Sequence, residues 1–222
     1  AELLRGTFQR GLLFNELGTK VENCTVGVDI GKSVNSTVIS VFTCEKSIEQ
    51  NVARLVYLEE INPRTGGHDI PYQRERIMQV ARGFGADRLI IDATGMGGAI
   101  EQDIRVACIE SGIQFIPFIF TGGARGSKTQ VYRDMVSYLQ KNQVVVPDPK
   151  DLPPEHAKLV NKWYREHVDL QYTMDAANKT EKISAPTGKH DDYCDSTAIA
   201  LHGALSMLPS SGNFASVSMP DR

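Results

Sequence analysis

The order of apolar and polar positions along the chain predicts three strands followed by alternating helices and strands. Three β-branched, apolar runs joined by polar connections predict an antiparallel strand meander, at 25–32, 36–44 and 53–61. Beyond them, stretches with apolar residues at helical spacing alternate with short apolar runs. The predicted helices lie at 71–85, 97–112, 127–143 and 152–167, and the predicted strands at 87–92, 113–120, 144–149 and 169–174.

This order is typical of an α/β protein in which helices flank a mixed sheet. We expect the three antiparallel strands to form one edge of that sheet and parallel strands to form the rest. Residues 176–189 are polar and are expected to form a loop. The apolar stretch that begins at residue 191 predicts a last helix.

The two ends of the chain depart from this pattern. Residues 1–22 look helical but have no strong core pattern of their own, so we interpret them as the remnant of a linker to an upstream domain. Residues 209–222 are rich in small and polar side chains and are expected to form a flexible tail. One α/β domain over residues 23–208 remains, which suits a chain of 222 residues.

Composition excludes several classes of protein. The net charge of −3 argues against a uniformly basic nucleic-acid-binding surface, although a local basic groove remains compatible with it. No apolar run approaches the length of about 18 residues that a membrane span requires. The 4 cysteines are scattered and form no C-x-x-C pair, which favours a reducing compartment and a cytoplasmic location.

Acidic residues stand at the ends of three predicted elements that are far apart in sequence. Asp29 follows the core of the first strand and Asp92 ends the fourth, and open α/β sheets place their chemistry at such strand ends. If these strands are neighbours, the two carboxylates lie side by side. The last helix then adds a pair that shares one face, either Asp192 with Asp195 or Asp191 with Asp195. Taken singly, Asp191 also fits a helix cap and Asp29 a turn residue.

Clustered carboxylates repel one another unless a proton or a cation compensates their charge. A hard divalent cation removes the conflict, and carboxylate oxygens suit Mg²⁺ or Mn²⁺. Two such ions about 3.5–4 Å apart can stabilise the attacking and the leaving oxygen of a phosphodiester. The acidic pattern therefore predicts a site for two Mg²⁺ or Mn²⁺ ions.

Three segments carry a family resemblance: GVDIGKSVNSTVISV, LIIDATGMGGAIEQDI and KHDDYCDSTAIAL. They resemble the nuclease domain of the large terminase subunit of tailed bacteriophages and related viruses, over roughly residues 26–208. The resemblance implies a ribonuclease-H-like fold, similar to that of Holliday-junction resolvases. It also implies a metal-dependent endonuclease that cuts concatemeric viral DNA around genome packaging.

By position, the resemblance makes Asp29 the first metal ligand and Asp92 the second. In the third motif it points to Asp192, with Asp191 and Asp195 as close candidates. Related resolvases use a D-x-x-D pair there, which favours Asp192 together with Asp195. We therefore expect the catalytic set Asp29, Asp92 and Asp192.

Full-length large terminases also carry an upstream packaging ATPase. The nearest sequence to a Walker A motif here is GARGSKT at 123–129, where Ser127 breaks the required Gly-Lys adjacency. We therefore expect no ATP hydrolysis by this chain. The resemblance implies double-stranded DNA, the ATPase domain of the same protein, the portal and the small terminase subunit as partners, in the cytoplasm of the host cell.

Several basic residues are candidates for contacts with DNA phosphates. They lie just after the first motif, in the glycine-rich loop, and just before the last helix: Lys32, Arg125, Lys128, Lys189 and His190. The helix at 152–167 is basic too, but charge on a helix most often marks a solvated face.

Three other functions fit part of the pattern. Actin-like ATPases and sugar kinases share the three-strand start, but they need a second nucleotide-binding half. A Holliday-junction resolvase or a transposase core shares the acidic arrangement and differs in its DNA substrate. A module that only docks DNA or the portal would carry the acidic cluster as a solvated surface without metal.

Overall fold

The computed structural model describes residues 1–31, 35–63, 69–94, 96–120, 128–175 and 180–206. Its helices are α1 (Glu2–Arg5), α2 (Ile70–Phe84), α3 (Gly98–Glu110), α4 (Lys128–Gln140), α5 (Pro154–Asp169) and α6 (Asp192–Leu201), and α6 is followed by a π-helical turn at His202–Ser206. Its strands are β1 (Phe8–Gln9), β2 (Cys24–Asp29), β3 (Thr37–Glu45), β4 (Val52–Ile61), β5 (Arg88–Asp92), β6 (Gln114–Phe118), β7 (Val144–Pro147), β8 (Gln171–Asp175) and β9 (Thr180–Ser184). The predicted tail at 209–222 lies outside the described residues.

Seven strands form one mixed sheet in the order β1-β7-β4-β3-β2-β5-β6. Strands β2, β3 and β4 are antiparallel, and the other neighbours pair in parallel. The predicted fold class, a mixed sheet flanked by helices, is confirmed. The antiparallel strands, however, lie in the centre of the sheet and not at its edge, because β7 returns to pair in parallel with β4.

The segment before the last helix differs from its predicted secondary structure. The stretch 176–189, predicted to be a loop, contains β9, which pairs with β8 in a separate two-stranded hairpin outside the main sheet. The sequence of β9, TEKIS, carries one apolar residue, so its strand conformation depends on backbone pairing with β8 and not on an apolar pattern. The hairpin contributes no strand to the main sheet.

The amino-terminal segment contains much less helix than its sequence suggests. Its only described helix is the four-residue α1, and β1 then extends the main sheet by pairing in parallel with β7. Leu4 is buried in the core, and the ring of Phe8 lies 5.7 Å from that of Tyr164. These residues therefore pack against the α/β domain, while their origin as part of a linker remains a prediction.

The two faces of the sheet are covered by separate apolar clusters. Residues from α4, α5 and α6 form one cluster, which includes Val131, Trp163 and Ile199. Residues from α2 and α3 form the other, which includes Ile77 and Ile104. The result is a three-layer arrangement with the sheet between helices. None of the described helices combines the length and the apolar character needed to cross a membrane.

Helix α6 can lie directly on the centre of the sheet because Gly27 of β2 has no side chain. A Cβ atom at this position would stand 2.6 Å from the Cβ atom of Ala200 and 2.8 Å from its nitrogen. Real Cβ atoms do not approach other atoms so closely, so a larger residue would push α6 off the sheet. Gly27 thus sets the height of the helix that carries the third acidic motif.

We expect Gly27→Ala to lower the free energy of unfolding by about 1–3 kcal/mol, the usual cost of overpacking a core. Gly98→Ala is the matched control, because a Cβ atom there meets nothing within 4 Å. We expect that control to be neutral or slightly stabilising, since alanine restricts the unfolded chain. Urea denaturation of both variants measures the difference, and equal stabilities would contradict the close seating of α6.

Candidate active site

Asp29 and Asp92 end two neighbouring parallel strands. Val28 of β2 is paired with Ile91 of β5, so the next residue of each strand stands at the same level of the sheet. Parallel strands present their carboxyl ends at one edge, and the two carboxylates therefore share that edge. The neighbouring relation of the first and fourth predicted strands, on which the predicted site depended, is confirmed.

Helix α6 brings the third acidic motif over this edge. Asp192 is the first residue of the helix, Asp195 follows one turn later, and both side chains are buried. Asp191 stands at the position before the helix, where a cap is expected, but its side chain makes no capping hydrogen bond. The side chain of Asp191 therefore does not act as the helix cap that the sequence allowed.

The electrostatics of Asp29 show that the three motifs converge. Burial raises the pKa of Asp29 well above its ordinary value, and the nearby charges of Asp195, Asp192 and Asp92 raise it further. Only the positive charge of Lys128 opposes them among the influences on this carboxyl. The cluster therefore holds more negative charge than the protein itself compensates.

Lys128 stands within the cluster as an internal countercharge. Its Nζ atom lies 2.8 Å from Oδ2 of Asp191 and 2.5 Å from Oδ2 of Asp195. Burial by itself would lower the pKa of Lys128, but the charges of Asp195 and Asp191 outweigh it and raise that pKa. Lys128 was predicted to contact DNA, whereas its ammonium group in this structure is engaged by two carboxylates.

Asp195 is the most tightly held of the carboxylates. The hydroxyl group of Tyr132 donates a hydrogen bond of 2.8 Å to its Oδ1 atom, while Lys128 binds Oδ2. Burial nevertheless raises the pKa of Asp195 to about 7, against the opposing charge of Lys128. Burial likewise raises the pKa of Asp192, which the positive charge of His190 partly offsets.

We expect Lys128→Met to lower the free energy of unfolding of the metal-free protein by about 3 kcal/mol, because it leaves buried carboxylates without their partner. A second change, Asp195→Asn, should restore much of this loss by removing the unpaired charge. Guanidinium denaturation in EDTA measures both effects. If Lys128→Met were as stable as Lys141→Met, an exposed control just beyond α4, the ammonium group would not be a structural countercharge.

Of the other predicted DNA contacts, the structure describes Lys189 and His190. Lys189 binds Oδ2 of Asp169 at 2.7 Å, and about half of its side chain is exposed. His190 places its Nδ1 atom 3.9 Å from Oδ2 of Asp192, so it borders the cluster directly. Lys32 and Arg125 lie outside the described residues.

Sequence reasoning missed a second polar group beside Asp192, centred on Glu60. Glu60 lies on the same rung of the sheet as Asp29, since Val38 is paired with both of them. Its carboxylate accepts hydrogen bonds from Lys162 and Ser36 at 2.6 Å and from the hydroxyl of Tyr193 at 3.0 Å. The only sequence signal for Glu60 was its position near the polar end of β4, a strand that is otherwise mostly apolar.

Glu166 of α5 was also missed, and it supplies the cap that Asp191 does not. Its Oε2 atom accepts a hydrogen bond of 3.0 Å from the backbone N–H of Tyr193, in the first turn of α6. Burial raises the pKa of Glu166 to about 7, although this hydrogen bond opposes the shift. Glu166 therefore fixes the start of the helix that carries Asp192, and only the fold brings the two segments together.

The donor chemistry of the cluster fits a hard divalent cation, because each candidate ligand is a carboxylate. Among the described residues, no three His, Cys, Asp or Glu side chains are already arranged around one ion position. Lys128 holds oxygens of two of the candidates, and its effect on the pKa of Asp29 is smaller than those of burial and of the three neighbouring carboxylates. The residues present thus suit metal ions, and the contacts of Lys128 occupy one oxygen each of Asp191 and Asp195.

Comparisons by sequence identify no relative of the chain. Neither the protein-family models nor the curated proteins give a significant match.

Comparison with solved structures finds nuclease domains of phage and viral terminase large subunits. The nuclease domain of the large terminase subunit of bacterial virus Sf6 matches with a TM-score of 0.66 and 12% identity, over 90% of this chain and 96% of that one. The human cytomegalovirus terminase nuclease domain matches with a TM-score of 0.55 and 12% identity, over 91% and 93%. That of bacteriophage SPP1 matches with a TM-score of 0.50 and 15% identity, over 88% and 96%.

These matches confirm the predicted ribonuclease-H-like fold. They cover about nine-tenths of this chain, so the shared architecture extends over almost the whole molecule. At identities of 12–15% the similarity concerns the fold, and function has to be argued from the carboxylate cluster.

Proposed function

We propose that this chain is a metal-dependent DNA endonuclease that acts as the nuclease domain of a viral genome-packaging enzyme and cuts concatemeric DNA. The observation that carries the proposal is the convergence of Asp29, Asp92, Asp192 and Asp195 at one edge of the sheet with an excess of negative charge. The shared fold supports it. So do the structures of a mutant Sf6 nuclease domain and of the SPP1 nuclease domain, both of which contain manganese.

In the proposed mechanism, Asp29, Asp92 and Asp192 would hold the metal ions, and Asp195 or Asp191 would complete the set. Two bound divalent ions would supply an activated water and a positive charge for the leaving oxygen. Tyr132 orients Asp195 through its hydroxyl group, and Glu166 holds the first turn of α6 in place. No protein nucleophile is needed, because water attacks the phosphodiester.

Lys128 has a defined part in this mechanism. In the metal-free protein its ammonium group neutralises part of the charge of Asp191 and Asp195. With divalent ions bound to these carboxylates, the ammonium group of Lys128 would be free to contact a nearby phosphate. Lys128 could then both pair with the carboxylates in the metal-free protein and contact DNA, as predicted, in the metal-bound one.

The wider setting follows from the same proposal. Double-stranded DNA is the substrate, and an ATPase domain of the same protein, the portal and the small terminase subunit are the expected partners in the host cytoplasm. The proposal expects no ATP hydrolysis from this chain, because its sequence carries no Walker A motif.

Incubation of the chain with supercoiled plasmid in Mg²⁺, Mn²⁺ or EDTA tests the proposal. We expect nicked and then linear plasmid with either metal and intact plasmid in EDTA. A four-way junction assayed beside a linear duplex separates the alternatives, since preferential cutting of the junction would favour a resolvase. A folded chain that binds DNA but cuts neither substrate would favour a docking module and contradict the proposal.

A further inference from the structure

An open groove of about 400 Å³ runs along the outer side of α5. Three basic residues line it, Lys158, Lys162 and Arg165, together with the amide of Asn161. The basic residues follow one another at intervals of four and three positions, so they share one face of the helix. They extend over about 10 Å of helix axis.

This face is positive although the chain as a whole is negative, with a net charge of −3. Among the described residues, no carboxylate lines the groove. Glu166 is buried and caps α6 through Oε2, while its Oε1 lies 4.0 Å from Nζ of Lys162; Asp169 is paired with Lys189. Lys162 is thus partly neutralised by Glu60 and Glu166, while Lys158 and Arg165, at either side of it, are exposed.

Lys162 connects the groove to the carboxylate cluster. Its Nζ atom lies 2.6 Å from Oε1 of Glu60 and 5.1 Å from the centre of the Tyr193 ring. Tyr193 directly follows Asp192 in the chain, and the charge of Lys162 acts on the Asp192 carboxyl. The middle of the groove thus lies beside the third acidic motif.

We propose that this groove binds the phosphate backbone of the DNA strand that reaches the carboxylate cluster. The inference rests on the proposed nuclease function and adds the path of the substrate. A row of cations with a neighbouring amide suits a run of phosphates, because lysine and arginine neutralise phosphates and amides donate to their oxygens. The sequence favoured a solvated face for this helix, and the position of the groove beside Asp192 is what points to the substrate.

The experiment measures the affinity of a fluorescent DNA duplex in EDTA, where no cleavage can occur. Charge reversal at the two exposed positions, in the variant Lys158→Glu/Arg165→Glu, tests the groove, while Lys162 is kept because it holds Glu60. The control is Lys46→Glu/Lys141→Glu, which changes the net charge equally. Both control residues are exposed, and Lys46 follows the end of β3 that lies away from Asp29.

We expect the groove variant to bind at least about tenfold more weakly than the control variant. A plot of the logarithm of the association constant against the logarithm of the salt concentration has a negative slope. Its magnitude should be smaller by about 2 in the groove variant, close to one for each phosphate that the variant no longer neutralises. Near-ultraviolet circular dichroism verifies that both variants are folded. Equal affinities and equal salt slopes for the two variants would overturn the proposal.

The test is independent of catalysis. If the chain cuts no plasmid but the groove variant still binds DNA more weakly than the control, DNA binding by the groove is supported and the nuclease function is contradicted. If the chain cuts plasmid and the groove variant binds DNA as tightly as the control does, the nuclease function is supported and DNA binding by the groove is contradicted.

Discussion

Replacement of Asp29 by asparagine is expected to abolish DNA cleavage and, at the same time, to stabilise the metal-free protein. Asparagine keeps the shape of the side chain but removes a charge that burial and the charges of Asp195, Asp192 and Asp92 disfavour. Relief of that conflict should therefore raise the free energy of unfolding of the metal-free protein. Ordinary core or surface residues do not combine these two effects.

The loss of cleavage should be at least about 10³-fold, because a metal ion supplies several kcal/mol of transition-state stabilisation and each 1.36 kcal/mol is tenfold in rate. Plasmid cleavage in Mn²⁺ and urea denaturation in EDTA measure the two effects on one preparation. Asp103→Asn, at an exposed position of α3, is the control and should change neither. Retained cleavage in Asp29→Asn would remove Asp29 from the metal site. Loss of both cleavage and stability would assign it a structural role.

The stability of the metal-free protein should fall as the pH rises from about 4 to about 7. The folded protein raises the pKa of Asp195 from 3.8 to about 7, mainly through burial, so within this interval the folded state binds a proton that the unfolded state has released. The free energy of unfolding therefore decreases with rising pH, and the penalty is complete above pH 7. The raised pKa of Asp29 acts in the same direction.

Added Mn²⁺ should reverse this loss at high pH. Metal ions bind the ionised carboxylates of the folded state and release the bound protons, and a concentration 100 times the Kd adds about 2.7 kcal/mol. Urea denaturation from pH 4.5 to 8.5, with EDTA or MnCl₂, measures both trends. Asp195→Asn should show a weaker pH dependence than the wild-type chain. If the stability of the wild-type chain rose with pH in EDTA, or if Asp195→Asn showed the same pH dependence as the wild-type chain, the charge conflict would be contradicted.

The sequence predicted the parts of the site that depend on local pattern. Asp29 and Asp92 were identifiable because each ends an apolar strand, and Asp192 and Asp195 because they share one helix face. Their convergence required that β2 and β5 be neighbours, which the order of elements suggested and the sheet bears out.

The sequence could not predict contacts that depend on the order of strands or on distant segments. The antiparallel strands lie in the centre of the sheet because β7 crosses over to β4, and the local pattern of β7 says nothing about its neighbour. Lys128 reaches Asp191 from 63 positions away, so its role as a countercharge had no local signal. Glu60 and Tyr193 are 133 positions apart and meet only in the folded chain.

Anomalous diffraction from crystals soaked in MnCl₂ tests most directly whether the converged carboxylates form the metal site. We expect two anomalous peaks about 3.5–4 Å apart, bounded by Asp29, Asp92 and Asp192 and completed by Asp195 or Asp191. The ammonium group of Lys128 should release at least one of its two carboxylates. Crystals without manganese at this cluster, at a concentration that supports plasmid cleavage, would contradict the proposed site and place the catalysis elsewhere.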